Sequence, residues 1–132
     1  MKIASVSEDK KIEKRIAITP EIAKKYVALG LEVSLPEKYG EHLGFKDNEY
    51  IKFGVKFSKD ENEIISSSDI IVQLGLLPEN KISHIKEKQT LIGVFNPYNN
   101  KEKIEALIKK NINVLSLELL PRITRAQSMD IL

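Results

Sequence analysis

The sequence predicts a single three-layer α/β domain, a mostly parallel sheet flanked by helices, of the flavodoxin-like or Rossmann-like half type. Three observations carry this. Short apolar runs of strand length alternate with segments whose apolar residues recur at helical spacing. Helix, left-handed cap and strand follow one another three times, around Gly30, Gly54 and Asn111. No linker, low-complexity stretch or longer repeat divides residues 1–132. Such short crossovers are right-handed and make neighbouring strands parallel, with helices on both faces. Strand order is not legible from this pattern.

The elements follow in order. Residues 2–6 alternate apolar and polar and read as a first strand, followed by a charged loop through Lys14. Thr19-Pro20-Glu21 is a helix start: a hydroxyl N-cap, a proline at the first helical position and an acid favoured by the helix dipole. Ile22, Ala23, Tyr26 and Val27 form its apolar face, and Gly30 ends it. A strand over 32–35 leads into a turn-rich loop over 36–44, and Asp47 is expected to cap a short helix closed by Gly54. After a small strand at 55–57, Asp60 and Glu63 have capping-box spacing for a helix through Ser67. Residues 69–74 are the most apolar strand of the first half. Residues 78–88 are polar with helical character, carrying Ile82 and Ile85. A strand over 90–95 closes at Asn96-Pro97, and 99–110 is the clearest helix, with Ile104, Leu107 and Ile108 as its stripe. Residues 112–117 read as a final buried strand.

Composition narrows the function classes. With 42% hydrophobic and 30% charged residues this is an ordinary globular composition. A net charge of +2, from 21 basic against 19 acidic residues, offers no electrostatic case for nucleic acid. There is no cysteine, so disulfides and thiolate metal sites are excluded. No apolar run reaches membrane-helix length, and the first six residues are too short for a signal peptide. His42 and His84 have no second ligand at metal-binding spacing and read as surface residues. A cytoplasmic domain without a metal is the expectation.

The most informative stretch follows the last strand. Pro121 stops it, and Arg122, Arg125, Gln127 and Asp130 crowd into the next nine residues. Ligand contacts in open α/β sheets come from loops at strand ends. Guanidinium offers fixed donors, glutamine donates and accepts, and aspartate takes a ribose hydroxyl or orients an arginine. The alternative is a solvated surface loop, and residue types alone do not separate the two.

The run Pro-Arg-Ile-Thr-Arg-Ala-Gln-Ser-Met-Asp-Ile-Leu, residues 121–132, closely resembles a signature of the alanine dehydrogenase/transhydrogenase family. It most resembles the form found in the alpha subunit of proton-translocating NAD(P) transhydrogenases. The resemblance extends over the whole chain. It implies that Arg122, Gln127 and Asp130 lie beside the nicotinamide of NAD(H), with the backbone of Ile123 and Thr124 adding donors. It further implies NADP(H) on a partner subunit, membrane-embedded transhydrogenase subunits as partners, a homodimer, and a peripheral position at the inner membrane.

A dinucleotide fold ordinarily carries a Gly-rich turn after its first strand. Here residues 7–20 contain no glycine, and the glycines at 30, 40, 44, 54, 75 and 93 never make G-x-G-x-x-G. The family places that cradle in a second, downstream dinucleotide-binding domain, so the expectation is the opening portion of a larger subunit, inactive by itself. Residues 13–20, Glu-Lys-Arg-Ile-Ala-Ile-Thr-Pro, are a second family-like run. Its Arg15 matches a substrate-carboxylate ligand of alanine dehydrogenase, but beside a helix start a structural ion pair is the preferred reading. Where that dehydrogenase has a lysine and a histidine, this chain has Gln73 and a position near Asn96. Neither residue supplies the charge or exchangeable proton that oxidative deamination uses. The leading expectation is therefore a transhydrogenase component, with an alanine-type dehydrogenase fragment or a non-catalytic interaction module as alternatives.

Overall fold

The computed structural model describes residues 1–9, 13–95 and 99–117. The elements are β1 (Lys2–Ala4), α1 (Pro20–Ala28), β2 (Glu32–Pro36), α2 (Asp47–Ile51), β3 (Lys56–Ser58), α3 (Glu61–Ser67), β4 (Ile70–Gln73), α4 (Glu79–Ile82), β5 (Thr90–Gly93), α5 (Lys101–Lys109) and β6 (Asn113–Ser116), with a 3₁₀ turn at Glu41–Leu43 before α2.

Local signals account for most boundaries. Thr19 caps α1, its hydroxyl accepting from the Ile22 amide at 3.3 Å. Asp60 caps α3 through the amides of Asn62 and Glu63. Gly30, Gly54 and Asn111 all take positive φ, at 90°, 97° and 65°, and each turns a helix into the next strand. The expected caps hold at all three.

Every paired strand in the described residues is parallel, so the sheet is more uniform than "mostly parallel". Its order is β3-β2-β1-β4-β5-β6. Strand alternation splits the core in two. Ile3, Val33, Leu35 and Val72 face one side with Ala23 of α1 and Tyr50 of α2. Ala4, Ile71 and Leu91 face the other with Ile64 and Ile65 of α3 and Leu107 of α5. This is the three-layer arrangement expected.

Four local expectations need correction. Asp47 does not cap α2. It lies inside the helix, and its carboxylate accepts from the Lys38 amide, while Glu49 reaches back to the Lys46 amide. Ile108 is 57% exposed, because Ile104 and Leu107 already complete the face of α5 that meets the sheet. Of residues 78–88 only Glu79–Ile82 is helical; the chain then turns so that the Lys88 amide donates to Asn111 O. The last strand is less buried than expected. In the described residues β6 pairs with β5 alone and exposes 40% of Leu115, as an edge strand does.

Candidate functional site

The strand order reverses direction between β1 and β4. β1 connects through α1 to β2 on one side, while β4 leads to β5 on the other. The crevice outside the carboxyl ends of these two strands is where open α/β sheets bind ligands. A cleft of about 470 Å³ lies there, lined by Ser7, Glu8, Glu13, Gly75, Lys81 and Lys103 among others.

Its floor is a polar network built from strand ends. Beyond Ala4 the backbone pairing of β1 with β4 stops, and the Gln73 carboxamide takes over. Gln73 Oε1 accepts from the Val6 amide at 2.7 Å, and Gln73 Nε2 donates to Val6 O at 3.1 Å. The side chain thus stands in for one more peptide group of the ladder, and the backbone of Val6 settles which way the amide points. Ser5 Oγ also donates to Gln73 Oε1, at 3.0 Å, and Tyr39 Oη donates to Ser5 Oγ at 2.8 Å. The Tyr39 oxygen accepts in turn from the amides of Ala17 and Ile18. At the other end Gln73 Nε2 donates to Glu8 Oε2 at 2.7 Å. Tyr39, Ser5, Gln73 and Glu8 therefore form one directed run of donors, each polarising the next, that ends on a carboxylate.

The same carboxylate accepts from the backbone. The Leu74 amide donates to Glu8 Oε2 at 2.8 Å and the Gly75 amide to Glu8 Oε1 at 3.2 Å. Burial pushes the Glu8 carboxyl above its ordinary range. Those two amides and Lys81 pull against that rise, and Glu13 adds to it. Burial likewise raises the Tyr39 phenol to about 12, leaving it a neutral donor at physiological pH. The loop is tied down on the opposite side by Glu61, which accepts from the Ser7 amide at 2.8 Å and from Lys81 Nζ at 3.2 Å.

These contacts decide what the crevice can hold. Backbone amides that could meet a phosphate at the end of β4 are occupied by the chain's own carboxylate, and Glu8 would repel a pyrophosphate. The glycine-free turn therefore has a structural counterpart: side chains fill the place where a dinucleotide cradle would sit. The isolated chain is expected to show no saturable NADH binding below the millimolar range in a fluorescence titration. A micromolar Kd would mean that this chain holds the nucleotide phosphates unaided.

Arg15 is exposed and engages Glu13, with Nη2 to Oε1 at 2.9 Å and Nε to Oε2 at 3.1 Å. The ion-pair reading of Arg15 is what the geometry contains. His42 Nε2 donates to Lys14 O at 2.8 Å and His84 is exposed, so both are surface residues. Gln73 needs a different account from the one its position suggested. It is fully buried, and Gly75, two residues on, is what lines the cleft. A cleft-facing lysine is missing all the same, because glycine has no amine. Asn96 and the whole loop with Arg122, Ile123, Thr124, Gln127 and Asp130 lie outside the described residues. Sequence reasoning missed Ser5, Glu8 and Tyr39. The one available signal was a serine set among apolar residues in the first strand, ahead of a turn without glycine. Among the described residues, no cluster of three or more His, Cys, Asp or Glu could hold a metal, and no helix is long and apolar enough to cross a membrane.

Residues 5–132 match the family described as alanine dehydrogenase/PNT, N-terminal domain. The chain is 40% identical to the first of the separately encoded pieces of the NAD(P) transhydrogenase alpha subunit of Rickettsia prowazekii (strain Madrid E), over 100% of this chain and 36% of that protein. It is 36% identical to the protein of the same name from Rhodospirillum rubrum, again over 100% of this chain and 36% of the relative. Among solved structures, a transhydrogenase from Sinorhizobium meliloti superposes with a TM-score of 0.88 at 31% identity, covering 97% of this chain and 38% of that one. The chain thus spans little more than a third of the length of these relatives.

Proposed function

The chain belongs to the alanine dehydrogenase/PNT N-terminal domain family, and on that footing we propose that it forms the opening portion of the NAD(H)-binding component of a proton-translocating transhydrogenase. The reaction is hydride transfer between NADH and NADP+, coupled to proton movement through membrane-embedded partner subunits. The observation that carries this reading is the likeness to transhydrogenase alpha subunits along the entire chain, the loop at 121–130 included.

The chemistry divides cleanly. NAD(H) supplies the hydride, and the protein contributes binding, orientation and electrostatics. Arg122 offers charged donors to carbonyl or phosphate oxygens, Gln127 can meet a carboxamide with both a donor and an acceptor, and Asp130 accepts from ribose hydroxyls. Backbone amides of Ile123 and Thr124 add neutral donors. These residue types fit the nicotinamide end of the cofactor. The pyrophosphate falls to a downstream dinucleotide-binding domain, a division that the Glu8-filled crevice supports. NADP(H) sits on a partner subunit, two copies of the component pair, and the assembly lies at the cytoplasmic face of the inner membrane.

An alanine-type dehydrogenase is less well supported, because the cleft-facing position holds Gly75 and no amine. The test is a chimaera in which residues 1–132 replace the matching segment of the Rickettsia prowazekii subunit. Mixed with its NADP(H)-binding partner, it should transfer hydride within about tenfold of the parent rate, and it should not reduce NAD with alanine at alkaline pH. A folded chimaera that binds NADH yet transfers nothing, or one that oxidises alanine, would overturn the assignment.

A further inference from the structure

The three donors around Glu8 form a receptor for a carboxylate. Two are backbone N–H groups of consecutive residues at the end of β4, and the third is an amide whose own orientation is locked by Val6. Gln73 is fully buried and saturated, so its donor cannot swing away to another partner. The acceptor, by contrast, comes from a loop residue more than sixty positions earlier in the chain. Receptor and occupant are thus independent parts of the fold.

We propose that this cradle is a carboxylate-binding site at the sheet's switch point, occupied in the resting chain by Glu8, and that its ligand class when Glu8 is withdrawn is a small aliphatic monocarboxylate. The site goes beyond the hydride-transfer reading and does not depend on it, since no nucleotide contact enters the argument. Occupancy by a tethered group has two consequences. Free carboxylates at ordinary concentrations do not compete, because the effective concentration of Glu8 at the cradle is that of an intramolecular ligand. The same occupancy pins the loop after β1 to the loop after β4, so the floor of the cleft is preorganised.

Truncation makes the proposal testable, because Glu8→Ala deletes a fragment equivalent to acetate and Glu8→Gly one equivalent to propionate. Losing a carboxylate that satisfies three donors should lower the Tm of the Ala variant by roughly 8 °C. About 100 mM sodium acetate should restore around half of that loss, while sodium chloride at equal ionic strength restores little. The Gly variant should respond better to propionate than the Ala variant does, and the parent chain should respond to neither anion beyond the chloride control. If a variant does not fold in plain buffer, refolding is read instead. Folding with the matched carboxylate and not with chloride supports the site, and failure in both overturns it. Equal effects of acetate and chloride on the Ala variant, or an equal acetate response from the parent, also overturn it.

Discussion

Gly93→Ala is expected to destabilise the chain by roughly 3 kcal/mol or more, a large share of what a domain this size has. Gly93 stands opposite Gln73 in the β4–β5 ladder. A Cβ built there falls 1.9 Å from Gln73 O and under 3 Å from two atoms of the Phe95 ring. The first obstacle is backbone, so no rotamer change relieves it, and the strands must part. The movement would also displace Gln73, on which Val6, Ser5 and Glu8 depend. Gly30→Ala is the informative control. Its backbone has φ of 90°, but an added Cβ meets nothing within 4 Å. Only the left-handed conformation is penalised there, at about 1 kcal/mol. Urea denaturation of both variants measures the difference. A Gly93→Ala variant no less stable than Gly30→Ala would show that the two strands are free to separate.

In the proposed assembled enzyme, Gln127→Asn should slow hydride transfer by roughly a hundredfold while changing NADH affinity far less. Asparagine keeps the carboxamide and withdraws it by one methylene. Transfer between two nicotinamides needs near-attack geometry, whereas binding is spread over the whole dinucleotide, so a small displacement acts mainly on the rate. Arg122→Ala differs in kind, since it removes charged donors and should weaken binding as well. Stopped-flow transfer rates at saturating nucleotide separate the two effects. Parental transfer by Gln127→Asn would mean that the loop is a solvated connection, and the site assignment would be lost.

The sequence by itself determined what depends on near neighbours. The alternation of strands and helices was legible, as were the Thr19 and Asp60 caps and the left-handed turns at Gly30 and Asn111. Each rests on contacts within about four residues, which a linear pattern records. The loop at 121–130 was legible through its residue types and its family resemblance, because ligand chemistry selects side chains whatever surrounds them.

Only the tertiary structure decided the rest. Asp47 had the composition of a cap, yet its carboxylate serves Lys38, nine residues back. Ile108 matched the helical period and still faces outward, since the width of a buried stripe depends on what packs against it. Gln73 looked like a missing catalytic group, and is a surrogate peptide joining β1 to β4. Glu8 meets Gln73 across 65 positions and Tyr39 meets Ser5 across 34. Such pairs exist because the order β3-β2-β1-β4-β5-β6 brings the ends of β1 and β4 side by side. Periodicity assigns residues to faces of an element. It says nothing about which element lies alongside, so a polar network joining two strand ends becomes visible only once the sheet has formed.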